Sequence, residues 1–273
     1  MSLKQHSVSK FMSSTAFITG ASQGIGKATA LLFARNGYDL IITARTKDRL
    51  ESVAEEIRSF GRQVIAISAD VSNCSAVEAL INLGLERFST IDVLVNNAGI
   101  CMTAPIEKTT IEDWETIINV NLWGYINTIN LLLPHFIERK QGNIINVGSF
   151  GGKVPLPKMT AYCTSKHAIT GLTETLRLEL EPKGIHVSGI HPSVTNTSFL
   201  ERAIFKDSDR EQMKQLLSSP LASQPEDVAK AIWDAVKHPQ AEVIVGSAKI
   251  PTILNRLFPG ITQGMLQLAN KTV

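Results

Sequence analysis

Tyr162 and Lys166 stand four residues apart in a stretch of helical patterning, so both project from one helix face. A phenol with its ordinary pKa near 10 exchanges protons poorly at neutral pH. An ammonium about 5 Å away, at an effective dielectric of about 20, favours the phenolate by roughly 3 kcal/mol, or about two pKa units. That brings Tyr162 towards the working range of a general acid–base. Ser149 lies 13 positions earlier, just past an apolar run, where its hydroxyl would hydrogen-bond a substrate oxygen as charge develops there. An isolated Tyr-x-x-x-Lys match is better read as an exposed helix pair; Ser149 and a glycine-rich turn upstream shift the balance to proton transfer.

These side chains need a scaffold, and the chain alternates short apolar β-branched runs with longer helical patterns. TAFIT (15–19) precedes a helix, YDLIIT (38–43) a charged helix near 47–60, and QVIAIS (63–68) a helix near 73–87. IDVLV (91–95) precedes a long helix from about Glu112 to Arg139, and NIINV (143–147) one from about Ala161 to Glu181. HVSGI (186–190) precedes an irregular stretch and a helix at 226–237, and EVIVG (242–246) closes the series. Strands this short, apolar on both faces and separated by helices, imply a parallel sheet covered on both sides. Right-handed crossovers make it a single doubly wound α/β domain of about seven strands over 13–247. Gly37, Gly61 and Gly184 fall where left-handed helix C-caps are wanted. Residues 1–12 read as a loose tail and 248–273 as an amphipathic C-terminal extension.

The first strand runs into Thr19-Gly20-Ala21-Ser22-Gln23-Gly24-Ile25-Gly26 and then a helix. Glycines there permit a tight turn and close approach to a pyrophosphate, while the helix N-terminus offers N–H groups and a positive dipole end. In this strand–turn–helix setting the loop signals a Rossmann-type dinucleotide site. The second strand ends in Thr43-Ala44-Arg45-Thr46 with no acid for a ribose 2′-hydroxyl. An arginine there accommodates a 2′-phosphate, so NADP(H) is the expected cofactor. Such a charge-assisted contact is worth roughly 1.5–3 kcal/mol, about ten- to hundredfold in affinity.

The TGxxxGxG spacing is followed in order by Asp70, Asn96-Asn97-Ala98-Gly99, Asn121, Ser149 and Tyr162-Cys163-Thr164-Ser165-Lys166. By this ordered set the chain resembles the short-chain dehydrogenase/reductase family over about residues 15–247. The resemblance implies a cofactor lined by Gly20, Ser22, Gln23, Gly24, Ile25 and Gly26, with Asp70 and Val71 at the adenine and Asn97, Ala98 and Gly99 beside it. It implies Tyr162 as acid–base, Lys166 and Ser149 as its helpers, and Asn121 as holder of a water linking Lys166 to solvent. For Asn96, bracing the strand end is at least as good a reading as a ligand role. Pro192, Thr195 and Thr197 fall in the segment that holds the nicotinamide carboxamide in the family; Pro192 and Thr197 match its PGxVxT pattern, while Ser193 and Thr195 replace Gly and Val in Pro192-Ser193-Val194-Thr195-Asn196-Thr197. If position 193 needs positive φ, serine strains it by roughly 1 kcal/mol.

The leading function is an NADP(H)-dependent carbonyl reductase or alcohol dehydrogenase acting on a bulky apolar compound. Substrate contacts are expected from Ser149, Phe150, Tyr162 and Phe199, the last in an amphipathic lid at about 195–220. A 3-oxoacyl carrier-protein reductase competes; it predicts a basic docking patch, and only Lys153 and Lys158 stand near the site. A nucleotide-sensing interaction protein without turnover is the alternative of another class, and the intact Asn–Ser–Tyr–Lys set argues against it.

A net charge of +2 with scattered Lys and Arg leaves no footprint for nucleic acid. The longest uncharged stretch, 116–137, holds too many asparagines for a membrane span and reads as a helix buried on more than one side. With Trp123, Tyr125 and Leu131-Leu132-Leu133 it carries more apolar surface than one sheet face needs, so a homodimer or homotetramer is expected. Cys74, Cys101 and Cys163 form no disulfide framework, which suits a reducing, cytoplasmic setting, and the six histidines lack metal-ligand spacing. The tail's Ile250, Ile253, Leu254, Leu257, Phe258 and Ile261 recur at helical spacing despite Pro259-Gly260. They suit packing on a partner subunit better than a pocket roof or a membrane surface.

Overall fold

The computed structural model describes residues 13–197, 203–206, 215 and 222–271. Its main sheet contains β1 (Thr15–Thr19), β2 (Asp39–Ala44), β3 (Val64–Ser68), β4 (Val93–Asn96), β6 (Gly142–Val147), β7 (Ile185–Pro192) and β9 (Glu242–Val245). All pairings are parallel, in the order β3-β2-β1-β4-β6-β7-β9. The helices are α1 (Gly24–Arg35), α2 (Lys47–Ser59), α3 (Cys74–Phe88), α4 (Ile111–Ile118), α5 (Gly124–Arg139), α6 (Thr160–Leu180), α7 (Pro225–Lys237), α8 (Lys249–Leu257) and α9 (Pro259–Lys271).

The period-two alternation of each strand divides the core into two layers. Ala16, Ile18, Leu40, Ile42, Val93, Val95 and Ile145 meet α1, α2 and α7 through Phe33, Leu50, Val53, Ile57, Val228 and Ile232. Phe17, Ile41, Leu94, Ile144 and Val187 meet α3, α5 and α6 through Leu80, Ile129, Leu132, Phe136 and Ile169. Each fully buried side chain of this size contributes about 1.5–3 kcal/mol over leaving it in water. The edge strand β3 departs from the expectation of strands buried on both faces: Ile67 and Ser68 are exposed, because β3 has a neighbour on one side only.

The sheet order reverses between β1 and β4, so the crevice beyond their C-terminal ends is where an α/β sheet takes ligands. Gly37, Gly61 and Gly184 have the left-handed φ values expected of C-caps, at 89, 72 and 79°. The expected long helix from Glu112 to Arg139 is interrupted: α4 and α5 are joined by a π turn over Asn119–Trp123. Such turns widen the helix by one residue and gather at functional sites, and this one contains Asn121.

A second element had no sequence signal. β5 (Met102–Thr103) pairs in parallel with β8 (Ile204–Phe205), tying part of the 195–220 segment to the loop after β4. Lys206 adds an ion pair to Asp113. Phe199 and most of that segment lie outside the described residues, as do residues 1–12.

Candidate active site

The glycine loop is shaped by steric exclusion. Gly20 (φ 67°) and Gly24 (φ 55°) occupy the left-handed region that glycine tolerates. A Cβ on Gly26 would sit 2.3 Å from the Gly20 carbonyl oxygen, and one on Gly20 would sit 2.8 Å from Ala98 Cα. Asn97 secures the turn by donating from Nδ2 to the carbonyl oxygens of Thr19 (3.0 Å) and Gly20 (3.3 Å). Thr19 Oγ1 accepts in return from the N–H groups of Asn97 and Ala98, both at 3.0 Å.

Below the crevice lies a fully buried polar chain. Asn96 Nδ2 donates to Asn146 Oδ1 (3.1 Å), Asn146 Nδ2 donates to Thr173 Oγ1 (3.0 Å), and Thr128 Oγ1 donates to Asn96 Oδ1 (2.6 Å). Leaving one such group unpaired costs about 1–3 kcal/mol. This network joins β4, β6, α5 and α6, and Asn96 therefore braces the sheet rather than lining the cleft.

The cleft itself is a cavity of about 460 Å³, within the size range of ligand sites. Gly20, Gln23, Gly24, Ile25, Arg45, Asp70, Val71, Asn97, Ala98 and Gly99 line it from one end, and Pro192, Thr195 and Thr197 line it as well. Ser149, Phe150, Tyr162 and Lys166 complete the set brought together. Ser22, Gly26 and Asn121 do not line it: Ser22 is buried, and Gly26 packs on the loop's own backbone.

The side chain of Asn121 is occupied elsewhere. Its Oδ1 accepts from Ile100 N–H (2.8 Å), and its Nδ2 donates to Ile100 O (2.9 Å) and Ser165 Oγ (3.0 Å). It thus clamps the loop after β4 to α6, and the π turn aims it there.

Tyr162 and Lys166 share one face of α6, both largely buried. The Tyr162 hydroxyl hydrogen-bonds the Ser149 side chain, whose Oγ also accepts from Gly151 N–H at 3.1 Å. Lys166 Nζ donates to Val147 O (2.9 Å), a carbonyl that also accepts from Tyr125 Oη (2.8 Å), and lies 6.0 Å from the centre of the Tyr162 ring. The expected acidification of Tyr162 by Lys166 does not hold for the protein groups alone. Burial pushes the phenol above its ordinary range, and this outweighs the hydrogen bond from Ser149 that favours the phenolate. Burial also lowers the Lys166 ammonium to about 8.

Serine at 193 brings no left-handed strain, because among the described residues only Ser89, Lys140 and Lys158 combine a side chain with positive φ. Its hydroxyl instead meets Ser223 Oγ at 3.2 Å.

Several lining residues had escaped sequence reasoning. Ile100, Cys101, Val120, Leu156, Pro157 and Met159 add apolar lining, with Cys101 and Leu156 on the Tyr162 side. The one available signal was the apolar character of ICM and VPLP, which follow the motifs without any spacing rule. Burial raises the Cys101 thiol to about 12, so it behaves as an apolar wall group. Arg49 on α2 had also been passed over; its guanidinium donates to Gln23 Oε1, placing a second cation beside the glycine loop. Among the described residues no group of His, Cys, Asp or Glu has an arrangement that could hold a metal ion.

This constellation on a parallel sheet defines a dinucleotide-dependent oxidoreductase class, and comparison makes the assignment specific. The short chain dehydrogenase family profile matches residues 14–208, and the chain belongs to the short-chain dehydrogenase/reductase family. It is 34% identical to a 3-oxoacyl-[acyl-carrier-protein] reductase of Synechocystis over 232 residues, 85% of this chain and 92% of the relative. A short-chain dehydrogenase/reductase from Burkholderia phymatum, solved with NAD, superposes with TM-score 0.80 at 27% identity, covering 90% and 92% of the two chains. A short-chain dehydrogenase from Sphingobium yanoikuyae, solved with NADPH, does so with TM-score 0.77 at 29% identity, covering 93% and 95%. The chain is thus an oxidoreductase of a family whose solved members hold either nicotinamide dinucleotide.

Proposed function

We propose that this protein is an NADP(H)-dependent carbonyl reductase or alcohol dehydrogenase for a bulky apolar substrate, acting as a homo-oligomer in the cytoplasm. The observation that carries it is the Ser149–Tyr162 hydrogen bond, beside buried Lys166, opening between a glycine cradle and an apolar wall. The cradle suits the pyrophosphate, since Gly20 and Gly24 line it in left-handed conformations and without side chains. Arg45, with Arg49 behind Gln23, suits a 2′-phosphate, and Ala44, the last residue of β2, is no acid.

When bound, the nicotinamide supplies or takes the hydride and, in its oxidised form, brings a positive charge to the site. Tyr162 gives its proton to the substrate oxygen in reduction and takes it back in oxidation. Ser149 holds that oxygen in place as charge develops. Lys166 keeps a cation beside the phenol, held by Val147 O, while Asn121 fixes Ile100 and α6 around it. Ile100, Leu156, Pro157 and Met159 exclude water from the reacting end.

A 3-oxoacyl thioester reductase is the second reading, favoured by the Synechocystis relative. Against it, Lys153 near the site is already paired with Glu242 (2.6 Å) and Glu174 (3.2 Å) rather than open to an acidic carrier. Oligomerisation would draw on Trp123, half exposed, although Tyr125, Ile129, Leu132 and Phe136 of the same helix are consumed in the subunit's own core.

NADPH oxidation measured over ketones of rising size tests the proposal. Bulky apolar ketones are expected to give the highest kcat/KM. Small polar carbonyls, carboxylates or 3-oxoacyl thioesters outperforming them would overturn it.

A further inference from the structure

Helix α8 is amphipathic the wrong way round for a helix that packs on its own subunit. Its uncharged polar side chains turn inward: Thr252 is buried, and Asn255 Nδ2 donates to Lys153 O at 2.9 Å. Its apolar side chains turn outward, with Ile250 71%, Ile253 54%, Leu257 63% and, past the helix end, Phe258 53% and Ile261 62% exposed. A helix stabilised by its own subunit buries the apolar stripe. This stripe does not roof the cleft, because none of these residues lines it.

Charge distinguishes the possible occupants. Residues 243–273 include Lys249, Arg256 and Lys271 and no Asp or Glu. Lys249 and Arg256 are exposed on the same short helix as the apolar stripe. Pairing this face with itself across a two-fold would set these cations near their own copies, with no acid in the segment to answer them. An anionic lipid surface answers both features, taking the apolar stripe below the headgroups and the cations at their level.

We propose that the outer face of α8, continued by Phe258 and Ile261, docks the protein peripherally on a membrane carrying anionic phospholipid. The helix would lie in the interface plane: among the described residues no helix is long and apolar enough to cross a membrane. The Asn255–Lys153 hydrogen bond and buried Thr252 hold α8 in place beforehand, so little ordering accompanies docking. Lys153 is four residues beyond Ser149, so the docked helix is linked directly to the loop that follows the candidate catalytic serine. The inference does not depend on which substrate the site takes.

Cosedimentation of the full chain with phosphatidylcholine vesicles, with and without phosphatidylglycerol, is the test. Binding is expected only with phosphatidylglycerol, weakening as salt is raised. Lys249→Glu with Arg256→Glu is expected to weaken it by at least about tenfold, since each surface cation near an anionic leaflet contributes roughly fivefold. Ile253→Ser with Leu257→Ser is expected to abolish it, with the melting temperature and NADPH oxidation unchanged. No sedimentation with either vesicle would overturn the proposal. So would light scattering in which the Ser variant drops from an oligomer to a smaller species, which would assign the face to a second copy of the chain.

Discussion

The two ends of the cleft are built by different means. The end proposed for the cofactor is backbone: Gly20, Gly24 and Gly26 leave room, and Asn97 and Thr19 lock the turn through four hydrogen bonds to main-chain atoms. The end proposed for the substrate is side chain: Ile100, Cys101, Leu156, Pro157 and Met159 arrive on irregular segments, with Lys158 held at φ 62° between the last two. Backbone cradles tolerate few residue types at fixed spacing, whereas an apolar wall accepts many. One end is therefore set by geometry common to a family, and the other by the size and polarity of what it receives.

The deepest break in this arrangement is at the seam between the two ends. Tyr162→Phe keeps the ring and removes the oxygen bonded to Ser149. Turnover is expected to fall about 10²–10⁴-fold with NADPH affinity unchanged, as measured by steady-state kinetics and fluorescence titration. Retention of most activity, with wild-type carry-over excluded, would mean that another group moves the proton.

Two milder substitutions should separate the ends. Arg45→Ala is expected to weaken NADPH by about ten- to hundredfold while leaving NADH and the ketone KM alone. Equal wild-type affinity for the two cofactors would remove the basis for that expectation. Leu156→Ala, on the apolar wall, is expected to lower kcat/KM for the best apolar ketone by about tenfold, through roughly 1.5 kcal/mol of lost apolar contact. NADPH affinity should stay the same; a change there would show that the two ends are not independent.

The same contrast explains what the sequence made legible. All seven main strands fall within two residues of their expected positions, because Phe17 against Ala16 and Ile18, or Ile41 against Leu40 and Ile42, are apolar on both faces and admit only a doubly covered sheet. Ser149, Tyr162 and Lys166 could be named because strand end and helix period fix where they point. The π turn at Asn119–Trp123 left no trace, since its residues are ordinary helix formers in pattern and the extra residue shows only in the hydrogen bonds. Pairing of Met102–Thr103 with Ile204–Phe205 was equally hidden, because two-residue strands carry no periodicity. Arg49 reaches Gln23 across 26 positions, a meeting that only the β1–β2 pairing brings about.

The smallest expected effect concerns the charges behind Ser149. His191 on β7 is buried, and its ring occupies the space where a Cβ on Gly148 would sit, 2.5 Å from Nδ1. Glu242 on β9 stands 3.4 Å from Nε2, Lys153 pairs with that same carboxylate, and Lys166 on α6 adds a further cation. Burial, then Lys153, hold the imidazole well below its ordinary range, although Glu242 and the Ser149 main chain oppose them. A base whose pKa is lowered on folding binds fewer protons folded than unfolded. Its contribution is therefore present above the unfolded value, near 6.5, and is lost as pH falls below it. His191→Asn removes this titration while leaving Glu242 paired with Lys153. Chemical denaturation at about pH 7.5 and about pH 5.5 should show the wild type losing about 1 kcal/mol more than the variant over that interval. His135, partly buried and also lowered, is present in both proteins and cancels in the difference. If the two proteins lose the same stability, the imidazole is solvated more freely than its 3% exposure implies, and Ser149 is held without it.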